Sequence, residues 1–313
     1  MVTEKIAVLL SSYNGERFLQ QQIDSILNQK TDCEVTLFIR DDGSSDGTRD
    51  ILKKISMIDS RVKCSFEENV GLNRSFFKLL SMAALLPKEF KYFALSDQDD
   101  VWDDNKLQVA VTAIRKEEAN MPILYGCASR PVSETLEELP VKRTQNREIT
   151  FYNSIIQNFI AGHTHVMNRA LLNLISDVDA SNLHGHDSLI INVALLYGKL
   201  IYDRTPHVSY RQHSRNELGT SNSSKLSWVI RRLKRINDGE SKQYARQIEY
   251  IAEKYKNGMT DEQKSEIEKM LTSRKSFVGR AKYLAHKRVY RQETFDDMAF
   301  CVLYLFGGYN TNH

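Results

Sequence analysis

The chain has 313 residues, of which 41% are hydrophobic and 27% are charged, a balance typical of soluble globular proteins rather than disordered or membrane-spanning ones. This length fits one large α/β domain with an appendage, or two domains. The four cysteines form no CxxC pair, so the sequence predicts neither a zinc site nor a disulfide framework, and we expect a reducing setting.

The sequence shows no targeting signal. The N-terminal MVTEKIAVLL lacks a charged leader, a long apolar region and a small-residue cleavage site, so we expect a protein that is not exported. The longest late apolar run, Met298 to Phe306, is much shorter than the roughly 20 residues that a membrane-spanning helix needs. We therefore predict a cytoplasmic protein without a transmembrane segment.

The first third of the chain alternates short apolar runs with helical patterns, as βαβ units of a largely parallel sheet do. Four runs predict strands: IAVLLSS, VTLFIRDD, CSFEENVG and KYFALSDQDD. Three stretches have apolar residues at helical spacing: FLQQQIDSILNQ, DGTRDILKKI and SFFKLLSMAALL. The sequence thus predicts an α/β fold of Rossmann-like type, a mostly parallel sheet with flanking helices.

Polar clusters lie in the predicted loops that connect a strand to the helix after it. They read SSYNGE, RDDGSSDG and SDQDD. Ligands of open parallel sheets bind at the carboxyl ends of the strands. We therefore expect the three clusters to face one cleft.

The pattern becomes irregular after Asp103. We predict a helix from Lys106 to Glu118, a strand at PILYGCAS, a polar loop from Glu134 to Arg147, and helices around Ile155 and Leu189. From about residue 222 onward the sequence is helical and charged. We accordingly predict a catalytic domain at 1–215 and a basic helical region at 216–313.

The cluster SDQDD has the form of a divalent-cation site. A diphosphate repels carboxylates unless a cation lies between them, and Mg²⁺ or Mn²⁺ bridges phosphate oxygens to one or two carboxylates. Asp97 and Asp99 are two residues apart at a strand end, so both can approach one ion. An acidic turn followed by a helix cap is the alternative, and Asp103 and Asp104 before Lys106 fit that description better.

RDDGSSDGT can form a turn and also bind a base. Gly43 and Gly47 permit a tight turn. Ser45 or Asp46 can cap the next helix. One of the two preceding aspartates then remains to accept hydrogen bonds from a nucleobase; an ordinary turn is the alternative.

The combination of SSYNGE, RDDGSSDGT and SDQDDVW, in this order and spacing, resembles family 2 glycosyltransferases of GT-A fold. SDQDDVW together with YRQH resembles the branch of bacterial rhamnosyltransferases that builds cell-wall and capsular polysaccharides. The resemblance covers roughly residues 4 to 215. It implies a nucleotide-sugar donor, a divalent metal and a glycan acceptor.

The resemblance assigns nucleotide contacts to six residues: Ser11, Tyr13, Asp42, Asn73, Arg74 and Asp97. Asp42 would accept a hydrogen bond from the imide edge of the base. Asp97 would lie near the ribose and the metal, and Asp99 would bind the metal directly. His213 in SYRQHSRN would be a third metal ligand, with a surface histidine as the alternative.

An inverting transfer needs a carboxylate that removes the proton of the acceptor hydroxyl. The resemblance points to Asp187 in LHGHDSLI, and a helix N-cap is the alternative. Arg211 and Arg215 are predicted to pair with the diphosphate, because a guanidinium suits phosphate oxygens. His163 and His165 are predicted to line the acceptor side of the cleft or to pack in the core.

The tail is the basic part of the chain: Ser221 to His313 carry 18 Lys and Arg against 11 Asp and Glu, a net +7 in a chain whose total is +3. In KLSWVIRRLKRI the apolar residues fall on one helical face and the cations on the other. Such a helix can lie on an anionic membrane surface or dock on its own domain. Lipid-linked acceptors, typical of the resembled family, favour the membrane. No nucleic-acid-binding motif is present.

The sequence therefore predicts an inverting, metal-dependent glycosyltransferase, bound peripherally to the inner face of the cell membrane, with dTDP-L-rhamnose as donor and a lipid-linked glycan as acceptor. The alternatives are a UDP-hexose donor, a sugar-phosphate nucleotidyltransferase and a non-catalytic nucleotide-binding scaffold. A nucleotidyltransferase usually places a glycine-rich phosphate loop after the first strand, and SSYNGERF lacks one.

Overall fold

The computed structural model describes residues 3–118, 120–140, 145–178, 183, 185–213 and 240–311. The chain divides into two compact units. The first comprises Met1–Lys142, Ile160–Ala180 and Gly198–Gly219, and the second comprises Arg143–Phe159, Ser181–Tyr197 and Thr220–His313. The division into a catalytic and a helical part at residue 215 stays a prediction.

The first unit is built on one eight-stranded mixed sheet with the order β3-β2-β1-β4-β7-β6-β8-β5. Pairing is parallel across β3, β2, β1 and β4 and between β6 and β8, and antiparallel where β7 and β5 join. The strands are β1 Lys5–Ser12, β2 Glu34–Asp41, β3 Val62–Phe66, β4 Phe90–Ser96, β5 Val101–Trp102, β6 Ile123–Val132, β7 Val166–Asn168 and β8 Lys199–Arg211.

Helices flank this sheet in the first unit: α1 Leu19–Leu27, α2 Thr48–Ile58, α3 Leu72–Ala84, α4 Lys106–Ile114 and α6 Arg169–Ile175. From Ile6 to Ser12 every residue of β1 is buried, as expected for a strand of a parallel sheet covered by helices on both faces. Gly71 precedes α3 with φ +84°, a conformation that favours glycine. The predicted α/β fold is confirmed.

The second unit is helical in its described part. It contains α5 Phe151–Ser154, α7 His186–Tyr197, α8 Glu240–Lys254, α9 Asp261–Ser273, α10 Phe277–His286 and α11 Thr294–Leu305. Helix α9 begins with a capping box in which Thr260 and Gln263 satisfy each other's backbone N–H groups. The predicted C-terminal helical region is confirmed.

The structure corrects three details of the sequence prediction. Strand β8 was not predicted, because Pro206 and two adjacent charges interrupt its apolar pattern. Helix α4 ends at Ile114 rather than Glu118, where its last turn tightens into i→i+3 hydrogen bonds. The aspartates Asp103 and Asp104 do not cap α4, since its N-cap is Asn105.

No helix among the described residues is long and apolar enough to cross a membrane. The predicted basic helix KLSWVIRRLKRI lies outside the described residues, as does Arg215.

Candidate active site

The loops after β1 and β2 are held together by hydrogen bonds between their backbones and short side chains. Asn14 N donates to Ser44 Oγ (2.9 Å), and Gly15 N donates to Thr48 Oγ1 (2.8 Å). In return Ser45 N donates to Asn14 Oδ1 at 2.8 Å. The loops SSYNGE and RDDGSSDG therefore lie together at the carboxyl ends of neighbouring strands, as predicted.

The side chain of Gln98 connects the aspartate loop to the first of these loops. Its amide accepts from Tyr13 N (2.8 Å) and donates to Tyr13 O (3.0 Å). The Gly15 backbone lies against this amide: a Cβ added at Gly15 would be 2.3 Å from Gln98 Oε1. All three predicted clusters thus meet at one edge of the sheet.

Replacing Gly15 with alanine is expected to lower the free energy of unfolding by about 0.5–1.5 kcal/mol, because the new methyl group collides with the Gln98 amide and displaces it from its hydrogen bonds with the Tyr13 backbone. Urea unfolding monitored by circular dichroism measures the change. In the double variant Gly15→Ala/Gln98→Ala the collision is absent, so Gly15→Ala should cost less there than in the wild type. An equal cost in both backgrounds would contradict the explanation.

Asp99 and His213 form a close pair. Asp99 Oδ2 lies 2.6 Å from His213 Nε2, and the imidazole stacks on Phe18 with ring centroids 5.2 Å apart. Burial and the adjacent Asp97 raise the pKa of Asp99, and the hydrogen bond with His213 acts in the opposite direction. Two of the three predicted metal ligands are therefore in contact.

A second group lies beside this pair: Asp97, Asp100 and His163, whose potential ligand atoms are within 4.8 Å of one another. His163 Nδ1 is 3.4 Å from Asp97 Oδ2 and 3.6 Å from Asp100 Oδ2. Its Nε2 meets Ser129 Oγ at 2.8 Å, and its ring stacks on Tyr210. His163 therefore belongs to the aspartate cluster, a contact that the sequence analysis did not predict.

Asp100 is fully buried, and its Oδ2 makes no hydrogen bond within the described residues. Burial raises the pKa of the Asp100 carboxyl to about 7, despite the opposing effect of His163. Lys106 is also fully buried and donates from Nζ to the backbone oxygen of His163 at 2.9 Å. Burial lowers the pKa of Lys106 to about 7. Burial therefore disfavours the charged forms of the Asp100 carboxyl and the Lys106 amine.

The outer side of the cluster is the part that solvent and ligands reach. The side chains of Asp97, Asp99 and His213 are 34%, 17% and 10% exposed, against 0% for Asp100 and 4% for His163. Two carboxylates and an imidazole are suitable ligands for Mg²⁺ or Mn²⁺. The outer residues therefore carry ligand types that such a cation accepts, but among the described residues the group whose ligand atoms lie close enough together to share one ion is Asp97, Asp100 and His163.

Arg211 is buried beneath the aspartate loop. Its Nε donates to Asp99 O (2.8 Å), and Nη2 donates to Gln21 Oε1 (2.6 Å). Nη1 donates to Glu134 O, and the guanidinium lies over the Phe18 ring. These contacts give Arg211 a role in holding the loop. Its predicted contact with the diphosphate stays a prediction.

The residues predicted to meet the nucleotide differ in exposure. Tyr13 is 48% exposed, Arg74 is exposed, and Asn73 is half-buried in the first turn of α3. Ser11 is buried, and its Oγ lies 2.6 Å from Ser75 Oγ.

Asp42 is 2% exposed, and its carboxylate accepts hydrogen bonds from Arg40, from Val70 N and from Gly71 N. The backbone bonds to Val70 and Gly71 are both 2.9 Å. Asp42 thereby fixes the chain that enters α3. The predicted contact with the base stays a prediction.

Asp187 lies in the second unit, in the first turn of α7. Its Oδ2 accepts from Asn158 Nδ2 (2.5 Å), and its Oδ1 accepts from Ser188 N (2.7 Å). A Cβ at Gly185 would be 2.7 Å from Asp187 Oδ1, so glycine leaves room for the carboxylate. Asn158 was not singled out from the sequence, because an isolated asparagine carries no spacing signal.

The mixed sheet with flanking helices, and the acidic cluster after β4, define the class as glycosyltransferases of GT-A fold. The model of the family "Glycosyl transferase family 2" matches residues 7–175, just over half of the chain. The chain belongs to this family and is an inverting glycosyltransferase.

Two curated relatives and one solved structure illustrate the similarity. The dTDP-rhamnosyl transferase RfbG of Shigella flexneri is 25% identical over 254 residues, which are 78% of this chain and 83% of RfbG. The UDP-Glc:alpha-D-GlcNAc-diphosphoundecaprenol beta-1,3-glucosyltransferase WfgD of Escherichia coli is 29% identical over 172 residues, 54% of this chain and 55% of WfgD. The crystal structure of S. aureus TarS 1-349 with UDP-GlcNAc shares the fold, with a TM-score of 0.60, 18% identity, and coverage of 84% of this chain and 70% of TarS 1-349.

Proposed function

We propose that this protein transfers L-rhamnose from dTDP-L-rhamnose to a lipid-linked glycan during synthesis of a bacterial cell-surface polysaccharide, such as a cell-wall or capsular polymer, and that Mg²⁺ or Mn²⁺ is required. Similarity to RfbG along 78% of the chain is the observation that carries the choice of donor. The name of WfgD includes a diphosphoundecaprenol acceptor, which supports a lipid-linked acceptor here. We further propose peripheral contact with the inner face of the cell membrane through the basic C-terminal region.

Asp97, Asp99 and His213 are proposed to hold the cation. When bound, the ion offsets the charge that develops on the departing diphosphate. The contact of Asp99 with His213 supports this set, since both side chains are partly exposed and offer atoms that such ions prefer. Arg211 holds the loop through Asp99 O and is proposed, with Arg215, to balance diphosphate charge.

Asp187 is proposed as the general base. It would take the proton of the acceptor hydroxyl while that oxygen attacks the anomeric carbon and the nucleotide leaves from the opposite face, which inverts the configuration. The hydrogen bonds from Asn158 Nδ2 to Oδ2 and from Ser188 N to Oδ1 hold the carboxylate in one orientation. This arrangement supports the proposed role beyond that of a helix cap.

Ser11, Tyr13, Asp42, Asn73, Arg74 and Asp97 are the proposed nucleotide contacts. Tyr13 offers an exposed ring for stacking on a base. Asp42 would act through the loop that it fixes before α3, or directly if that loop opens on binding.

The donor is tested with a panel of dTDP-rhamnose, UDP-glucose, UDP-GlcNAc and the free nucleotides, each with Mn²⁺ or with EDTA, in thermal unfolding. At a concentration of about 100 Kd, binding adds about 2.7 kcal/mol, so the true donor should raise Tm by a few °C in the presence of metal. We expect the largest shift with dTDP-rhamnose. A larger Tm shift with a UDP-sugar than with dTDP-rhamnose would show that the donor is a UDP-hexose. The names of WfgD and of the TarS complex, which include UDP-linked sugars, favour this alternative.

A further inference from the structure

We propose that the outer face of the helix pair α10–α11 in the second unit is a docking surface for an anionic lipid bilayer. The proposal gives a location to the membrane contact in the proposed function and rests on it in that respect. The surface, called the apolar face below, is formed by five side chains: Phe277, Val278, Met298, Val302 and Phe306.

Helices α10 and α11 pack antiparallel to each other. At one end Arg280 Nε donates to Leu305 O (2.8 Å), and the rings of Phe277 and Phe306 meet edge to face at 6.4 Å. At the other end Lys287 Nζ pairs with Asp297 at 2.8 Å. These contacts fix the two helices as one body, so their exposed residues act as a single surface.

The apolar face is exposed to an unusual degree. Phe277, Val278, Met298, Val302 and Phe306 are 53%, 61%, 61%, 56% and 75% exposed. Met298, Val302 and Phe306 follow each other at intervals of four and therefore line one side of α11 and its end. The opposite side of the pair carries the buried Tyr283, Phe300 and Tyr304. Single exposed hydrophobic residues are ordinary, but a joined set of this kind indicates an interaction surface.

The side chains beside the apolar face are cationic, which favours an anionic partner. Residues 274–292 contain seven Lys and Arg and no Asp or Glu. Lys275 and Lys282 are exposed on the α10 side, and neither forms an ion pair with a carboxylate in the described part of the chain. The acidic first turn of α11, Asp296 and Asp297, lies at the other end of that helix from Phe306.

An anionic bilayer fits both properties. Apolar side chains of an interfacial helix enter the boundary between head groups and acyl chains, and lysines beside them reach anionic head groups. A second copy of the chain fits less well, because a two-fold contact would place this cationic edge against itself. The argument therefore favours lipid over self-association.

The test is flotation of the full-length protein with vesicles of phosphatidylcholine alone or with phosphatidylglycerol added. Wild type should float with the anionic vesicles. Lys275→Gln/Lys282→Gln should weaken binding about fivefold for each lysine, and Phe277→Ser/Phe306→Ser should weaken it at least as much. The matched controls are Lys54→Gln and Leu85→Ser, exposed positions of the first unit, which should float like wild type.

Three results would overturn the proposal. The first is a wild-type protein that does not bind anionic vesicles. The second is vesicle binding that is unchanged in both α10–α11 variants. The third is a wild-type protein that binds no vesicles but forms a concentration-dependent dimer in light scattering, which the Phe277→Ser/Phe306→Ser variant abolishes. Circular dichroism melts show whether each variant is folded. Metal-dependent donor stabilisation, measured without vesicles, reports on the proposed transferase separately, so failure of either proposal is recognisable.

Discussion

Replacing Asp187 with asparagine is expected to lower kcat for sugar transfer by about 10²–10⁴-fold, the usual contribution of a general base. Asparagine keeps the shape of the side chain and can still bond to Asn158 after an amide rotation, but it cannot accept the proton of the acceptor hydroxyl. Donor binding should be nearly unchanged, because the substitution leaves the aspartate cluster of the first unit intact. Transfer of labelled sugar and the donor-induced Tm shift measure the two quantities.

The alternative role of Asp187, stabilisation of a helix N-terminus, predicts a different result. Asp261 is its matched control: it lies in the first turn of α9 in the same unit and is fully exposed. An aspartate at such a position contributes about 0.3–1 kcal/mol through the helix dipole. If Asp187→Asn lost only that much stability and kept its kcat, as we expect for Asp261→Asn, the proposed base would have to be sought elsewhere.

The regular part of the first unit could be read from the sequence because its signals are local. Strands β1, β2 and β4 are short apolar runs that end in polar turns. In the helices between them, apolar residues recur at helical spacing. Strand β8 gave no such signal. Its Pro206 lies opposite Ala128, where the pairing of β6 and β8 shifts register, so the sheet accommodates a residue that normally interrupts a strand.

The site could be predicted only in part for the same reason. Asp97 and Asp99 share one motif, and the resemblance added Asp187 and His213. The contacts of Asp100 and His163 join positions 63 residues apart, and no spacing rule connects them. Asn158 reaches Asp187 across 29 residues. Pairings of this kind depend on tertiary structure, which a single sequence does not display.

The metal set gives the second large effect. Asp99→Asn is expected to weaken Mn²⁺ binding in the nucleotide complex about 100-fold or more and to abolish transfer at low metal concentration, since it removes the proposed direct carboxylate ligand; even the loss of an outer-shell partner costs about 10–100-fold in other metal sites. His213→Gln should weaken binding in the same direction. Electron paramagnetic resonance of free Mn²⁺ during titration measures both.

The inner group provides the contrast. His163→Gln removes a histidine that is buried, stacked on Tyr210 and bonded to Ser129, so it should lower Tm. It should change Mn²⁺ affinity much less than Asp99→Asn does, because the imidazole lies on the side of the cluster that solvent does not reach. The reverse order of effects would move the ion to Asp97, Asp100 and His163. Asp104→Asn, an exposed neighbour paired with Lys30, is the control that should leave Mn²⁺ affinity unchanged. Asp97 belongs both to the outer set with Asp99 and His213 and to the inner set with Asp100 and His163, so its replacement should abolish metal binding wherever the ion lies. The comparison of the Asp99 and His163 variants distinguishes an ion that faces the donor from an ion that is buried under the loop.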